Sequence, residues 1–97
     1  MNGVTSPQVL SPEERARLLR FMRRHRVVLH NDQVNYVRRA AEILTQEIGL
    51  RWQDAWRIVL EANVKGQATV MLCAREQAER YCWRLKVRGL TSSVEEA

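Results

Sequence analysis

The apolar positions along the chain fall into short runs whose period changes, and each change of period marks a boundary between elements. Residues 1–10 show no period and carry Gly, Ser and Pro among polar residues, so a mobile tail is expected there. Ser11-Pro12-Glu13-Glu14 then reads as a helix start. The serine can accept from free backbone N–H groups, the proline suits the first helical position, and the glutamate at the third position can reach back to the cap. Leu18, Leu19 and Met22 follow as a narrow apolar stripe among arginines, a stripe expected to dock on the domain it precedes. A membrane-surface or partner-binding helix is the alternative.

Residues 26–30 are β-branched and apolar at their heart, Val27 and Val28, and Asn31-Asp32 breaks the run, which predicts a strand ending in a polar loop. After Asn35, an expected N-cap, Val37, Ala40, Ala41, Leu44 and Ile48 recur at helical spacing until Gly49 supplies a stop. A second helix is predicted over about 52–62, with Trp52, Ala55, Trp56 and Val59 on its buried side, Asn63 at its end and Gly66 beyond. Its two tryptophans read as core or interface material. Residues 68–73 are apolar and β-rich enough for a strand. A third helix over 75–88 puts Ala78, Tyr81, Cys82 and Leu85 inward and ends at Gly89, and 90–95 can add an edge strand. Helices segregated from a small sheet make an α+β domain. The expected architecture is a three-stranded sheet packed against three helices, in the order β-α-α-β-α-β, preceded by a short N-terminal helix.

Ninety-seven residues make one domain. The expected division is an N-terminal extension over 1–25, with a basic helix at about 12–24, and a core domain over 26–97. The net charge of +5 raises the question of nucleic acid. Six arginines against two glutamates within 11–26 account for +4 of it, so the excess lies in the extension and reads as a solvated helix face. Apolar runs are too short to span a membrane, and the first ten residues lack the basic and apolar regions of a secretory signal, so a cytoplasmic address is expected. Cys73 and Cys82, nine apart, form no CxxC pair and lie near no histidine at ligand spacing. They read as buried thiols, and neither a metal nor another cofactor is called for. His25 and His30 read as structural.

No nucleophile and base, phosphate-cradling glycine loop or pair of catalytic carboxylates can be assembled from local motifs, so a binding module is expected rather than an enzyme. Asn31, Asp32, Asn35 and Asn63 do place hydrogen-bonding side chains where a strand ends and two helices meet. Each also has a local explanation as a turn or cap residue.

The stretch Val27-Val28-Leu29-His30-Asn31-Asp32-Gln33-Val34-Asn35 resembles the strand and loop of the ClpS adaptors. The resemblance continues through Gly49-Leu50, 55–61, Gly66 and Arg75-Glu76-Gln77-Ala78-Glu79, and covers about 26–95. It implies a module for N-degrons, peptides with a bulky apolar first residue, delivered to a Clp AAA+ unfoldase. By this resemblance Asn31 and Asp32 face the substrate's free amine, and the third amine ligand, a histidine in the family, is Asn63. The pocket for the first side chain is expected from Asn35, Val37, Ala40, Val59, Ala62 and Leu90. Several of these are small, which implies a wider or reshaped pocket and an altered preference. Arg38 and Arg39 near its entrance would disfavour a basic second residue. Glu76 and Tyr81 fall at positions that the family uses to dock its ATPase. Two further readings stand beside this one: a ClpS-like regulator that docks on the ATPase without amine recognition, and a basic nucleic-acid or ribosome-associated module.

Overall fold

The computed structural model describes residues 10–21, 23–31 and 36–97. The elements in order are α1 (Pro12–Phe21), β1 (His25–His30), α2 (Val37–Ile48), α3 (Trp52–Lys65), β2 (Gln67–Cys73), α4 (Arg75–Val87) and β3 (Ser92–Glu96). The strands form one antiparallel sheet in the order β2-β1-β3, with α3 and α4 packed on it and α2 packed on those two helices. Fold class and element order are those expected from the sequence. Among the described residues no helix is long and apolar enough to cross a membrane.

Strand β1 is central because its residues are apolar enough to be enclosed on both sides. Val27 and Val28 are fully buried, and Leu29 nearly so. Its register with β2 slips between Val27, opposite Met71, and Val28, opposite Thr69, so Val70 forms a bulge. Across the sheet the Arg26 guanidinium donates to the Glu95 carboxylate at 2.7 Å and to Thr69 Oγ1 at 3.2 Å, pinning all three strands.

Helix α2 buries Ala40, Ala41, Leu44 and Ile48 as its spacing requires, together with Ile43. It ends at Gly49, whose φ of 86° is costly for a residue with a Cβ. Its N-cap is Tyr36, without a side-chain cap bond, rather than the expected Asn35, which lies outside the described residues.

The buried face of α3 differs from the expectation. Ala55, Ile58, Val59 and Ala62 face the core, whereas Trp52 and Trp56 lie at the surface, 46% and 36% exposed. The reason is steric: α3 packs between α2 and β2, where alanines permit a close approach and indoles would hold the elements apart. The helix also runs to Lys65, three residues past the expected end.

Helix α4 buries Ala78, Cys82 and Leu85, while Tyr81 is half-buried. Cys82 is enclosed, and Ser92 Oγ donates to its carbonyl at 3.1 Å. Cys73 is only half-buried, and that burial pushes its thiol pKa up against the opposing pull of Arg24. Arg88 clasps Glu47 at 2.6 Å, tying the end of α4 to α2.

Helix α1 begins with the expected reciprocal cap. The Ser11 N–H donates to the Glu14 carboxylate at 3.0 Å, and the Glu14 N–H donates to Ser11 Oγ at 3.1 Å. The expected docking of its apolar stripe is not observed: Leu18 and Leu19 are exposed, and among the described residues α1 packs on no other element. Met22 lies outside the described residues. Two leucines on one short helix offer a narrower stripe than core-facing helices carry, too little to hold the helix down.

Candidate functional site

The end of β1 is fastened from two sides. The His30 N–H donates to the Thr91 carbonyl and the Asn31 N–H to the Gly66 carbonyl, both at 2.9 Å. Gly66 in turn caps α3 in the left-handed region, φ 93°, with its own N–H bonded to the Ala62 carbonyl at 2.8 Å. Three local decisions therefore meet at one point: a strand that ends just before Asn31, a helix that ends just after Asn63, and a glycine that joins them.

A hollow opens beside this junction. Leu29, His30 and Asn31 border it from the end of β1, and Val37 and Ala40 from the first turns of α2. Val59, Ala62 and Asn63 come from the last turns of α3, and Leu90 from the connection between α4 and β3. The apolar walls are buried at Ala40, Val59, Ala62 and Leu90 and half-buried at Val37, whereas Asn31 and Asn63 are exposed. The hollow thus has an apolar interior and two amide side chains at its margin. Its volume is about 30 Å³, narrower than the alanines at 40 and 62 imply, with the buried Leu29 and Leu90 among its walls.

Seven of the sequence-predicted site residues are brought together here: Asn31, Asn63, Val37, Ala40, Val59, Ala62 and Leu90. Asp32 and Asn35 lie outside the described residues. Leu29 and His30 were not among the expected site residues. Leu29 was legible as the last apolar residue of the strand, but His30 carried no local signal. Its imidazole Nε2 lies 2.7 Å from Ser93 Oγ, in contact with the neighbouring strand. Among the described residues no group of three His, Cys, Asp or Glu side chains is placed to hold a metal.

The two residues expected to dock an ATPase lie differently. Glu76 is exposed in the first turn of α4, beside a shallow depression formed with Glu79, Arg80, Trp83 and Arg84. Tyr81 does not border that depression. Its hydroxyl accepts from Gln77 Nε2 at 3.1 Å, and the Arg84 guanidinium lies 5.8 Å from its ring centre. Five helical residues turn about 140° beyond a full turn, which sets the two on different sides of α4.

Comparison with known families matches residues 21–93 to the model described as ATP-dependent Clp protease adaptor protein ClpS. The chain belongs to the ClpS family. It is 45% identical over 73 residues to the ATP-dependent Clp protease adapter protein ClpS of Synechococcus sp. (strain CC9902), covering 74% of this chain and 70% of that protein. It is 40% identical over 72 residues to the chloroplastic adapter protein CLPS1 of Arabidopsis thaliana, covering 73% of this chain and 45% of that longer protein. Among solved structures, Agrobacterium tumefaciens ClpS2 bound to L-phenylalaninamide superposes with a TM-score of 0.72 at 22% identity, covering 77% of this chain and 98% of that one. That likeness is one of fold. The ClpS segment contains β1, β2 and the start of β3, the helices α2 to α4, and every residue that borders the hollow. Helix α1 falls outside it except for Phe21.

Proposed function

We propose that this ClpS protein is a non-enzymatic adaptor that binds the free first residue of N-degron substrates, with altered specificity, and delivers them to a Clp AAA+ protease. The observation that carries the reading is the meeting of Asn31 and Asn63 at the margin of an apolar hollow. The names of its relatives as Clp protease adapters and the L-phenylalaninamide bound to the ClpS2 fold support it. Such a ligand joins an α-ammonium to an apolar side chain, and the two parts ask for different surroundings.

The ammonium has three donors and a charge. The side-chain oxygens of Asn31 and Asn63 accept from it, and the carboxylate of Asp32 supplies the opposite charge. Each charged hydrogen bond contributes about 1.5–3 kcal/mol. Burying the first side chain among Val37, Ala40, Val59, Ala62 and Leu90 adds about 1.5–3 kcal/mol. These contributions total about 6–12 kcal/mol, and with an association cost of at least about 4 kcal/mol subtracted the tightest binding they allow is about −8 kcal/mol, or micromolar. The hollow now has room for about two water molecules, so a bulky side chain enters by displacing its wall. The half-buried Val37 is the least enclosed of its apolar walls.

The test is fluorescence anisotropy with peptides beginning in Leu, Phe, Tyr, Trp, Val or Ala, each with a free and an acetylated amine. At least one free peptide should bind and its acetylated twin should not. Equal binding of both forms throughout the series would refute amine recognition and leave the second reading, a regulator that docks on the Clp ATPase alone, which the asparagine at position 63 favours.

A further inference from the structure

The tryptophans turned away from the core form a surface of their own. Trp52 and Trp56 stand one turn apart on α3 with ring centres 5.7 Å apart and planes tilted by 39°. With Gln53 and Arg38 of α2 they line a shallow, largely apolar depression. Its charged surroundings are uneven. The Arg51 and Arg57 guanidiniums share Asp54, at 3.0 and 3.4 Å, and Arg38 meets Glu42 at 3.3 Å, which makes three cations to two anions, with the arginine side chains largely exposed. Exposed tryptophan beside arginine is the composition of a binding surface rather than of a solvated helix face.

This depression adjoins the hollow along the same two helices. Val37 borders the hollow and Arg38, the next residue, borders the depression; Val59 borders the hollow and Trp56, one turn earlier on α3, borders the depression. Along α3, at about 1.5 Å per residue, Trp56 lies about 4.5 Å and Trp52 about 10.5 Å from Val59. An extended chain advances about 3.3 Å per residue. Val59 lies inside the hollow, so a peptide whose first side chain fills it uses about one residue in climbing to the rim and reaches the indoles with about its third to fifth residues.

We propose that Trp52, Trp56 and Arg38 form an extended subsite that reads the third to fifth residues of the bound substrate. It favours an apolar or aromatic side chain with a neighbouring carboxylate and disfavours lysine or arginine. The proposal rests on the N-degron reading and deepens it. The indoles cover the apolar side chain, and the surplus of guanidinium selects the sign of its neighbours. The subsite adds affinity only for a substrate already held by its amine, because the depression alone is open to solvent on one side.

The experiment compares two ligands with the same first two residues, a dipeptide amide and a hexapeptide carrying Glu-Phe-Asp at positions three to five. With the full chain, the hexapeptide should bind about tenfold more tightly than the dipeptide. A hexapeptide with Lys-Gly-Lys at those positions should lose that gain. Trp56→Ala and Trp52→Ser should each bring the hexapeptide towards the dipeptide's affinity while leaving the dipeptide itself within about twofold. The change of peptide on the unaltered protein keeps the test independent of how the variants fold. If the dipeptide binds through its free amine and neither extension nor its charge changes the affinity, the subsite is overturned and the N-degron reading stands. If no ligand binds through its amine, the N-degron reading fails and the subsite falls with it.

Discussion

Replacing Asn63 by alanine separates binding from stability, because the structure assigns the two effects opposite signs. The side chain is exposed, sits in the last turn of α3 and borders the hollow, so its removal leaves no buried group unpaired. Alanine is the better helix former by about 0.5 kcal/mol, and the fold should be as stable as before or slightly more so. For binding, the loss is one charged hydrogen bond to the substrate amine, about 1.5–3 kcal/mol, which converts to about a 10- to 150-fold weaker complex. The exposure of Asn63 places the expected loss near the lower end, about tenfold. Anisotropy with a free-amine peptide measures the first effect and urea unfolding the second. An Asn63→Ala protein that binds the free peptide within twofold of the parent, while still rejecting the acetylated one, would show that the amine is held without Asn63 and refute the assignment. A destabilised variant would refute the account of the helix end.

Two further outcomes follow from the fold. Leu85 is fully buried between α4 and the sheet, so Leu85→Ala should cost about 2–5 kcal/mol in urea unfolding; a loss below about 1 kcal/mol would mean that the site collapses around the gap. The Glu14 carboxyl is held below its usual range, first by the Ser11 backbone N–H and then by the Ser11 hydroxyl. A lowered folded-state pKa means that the cap stabilises α1 above the usual carboxylate range and is lost as pH falls through the lowered value. Far-ultraviolet circular dichroism should therefore show a loss of helix on acidification that Glu14→Gln removes.

Much of the fold was legible because its signals are local. Gly49 ends α2 where the sequence placed the stop, since a left-handed cap needs only the residue itself, and Gly66 does the same for α3, three residues later than the apolar stripe implied. The stripe of α2 was readable because a single register of large apolar residues fits it. Helix α3 offered two registers that share Ala55 and Val59. Hydrophobicity favoured the one with the tryptophans, and the close approach of α2 decided for the one with alanines. The hollow was legible through Asn31 and Asn63, each at the end of an element, and less so through His30, whose position depends on a neighbouring strand far away in sequence. The pairing of Glu76 with Tyr81 came from resemblance alone, and helical rotation separates them.

The bond from the Asn31 N–H to the Gly66 carbonyl has a consequence for how this chain can change length. Adding or deleting one residue within α3 would turn Asn63 by about 100° around the helix axis and move the carbonyl that holds Asn31 in the same stroke. Both amides would leave the hollow together. Beyond Gly89 the chain is tied as well, through Leu90 in the wall and the Thr91 carbonyl that holds His30, so single-step changes of length are tolerable ahead of β1 but not within α3 or between Gly89 and β3.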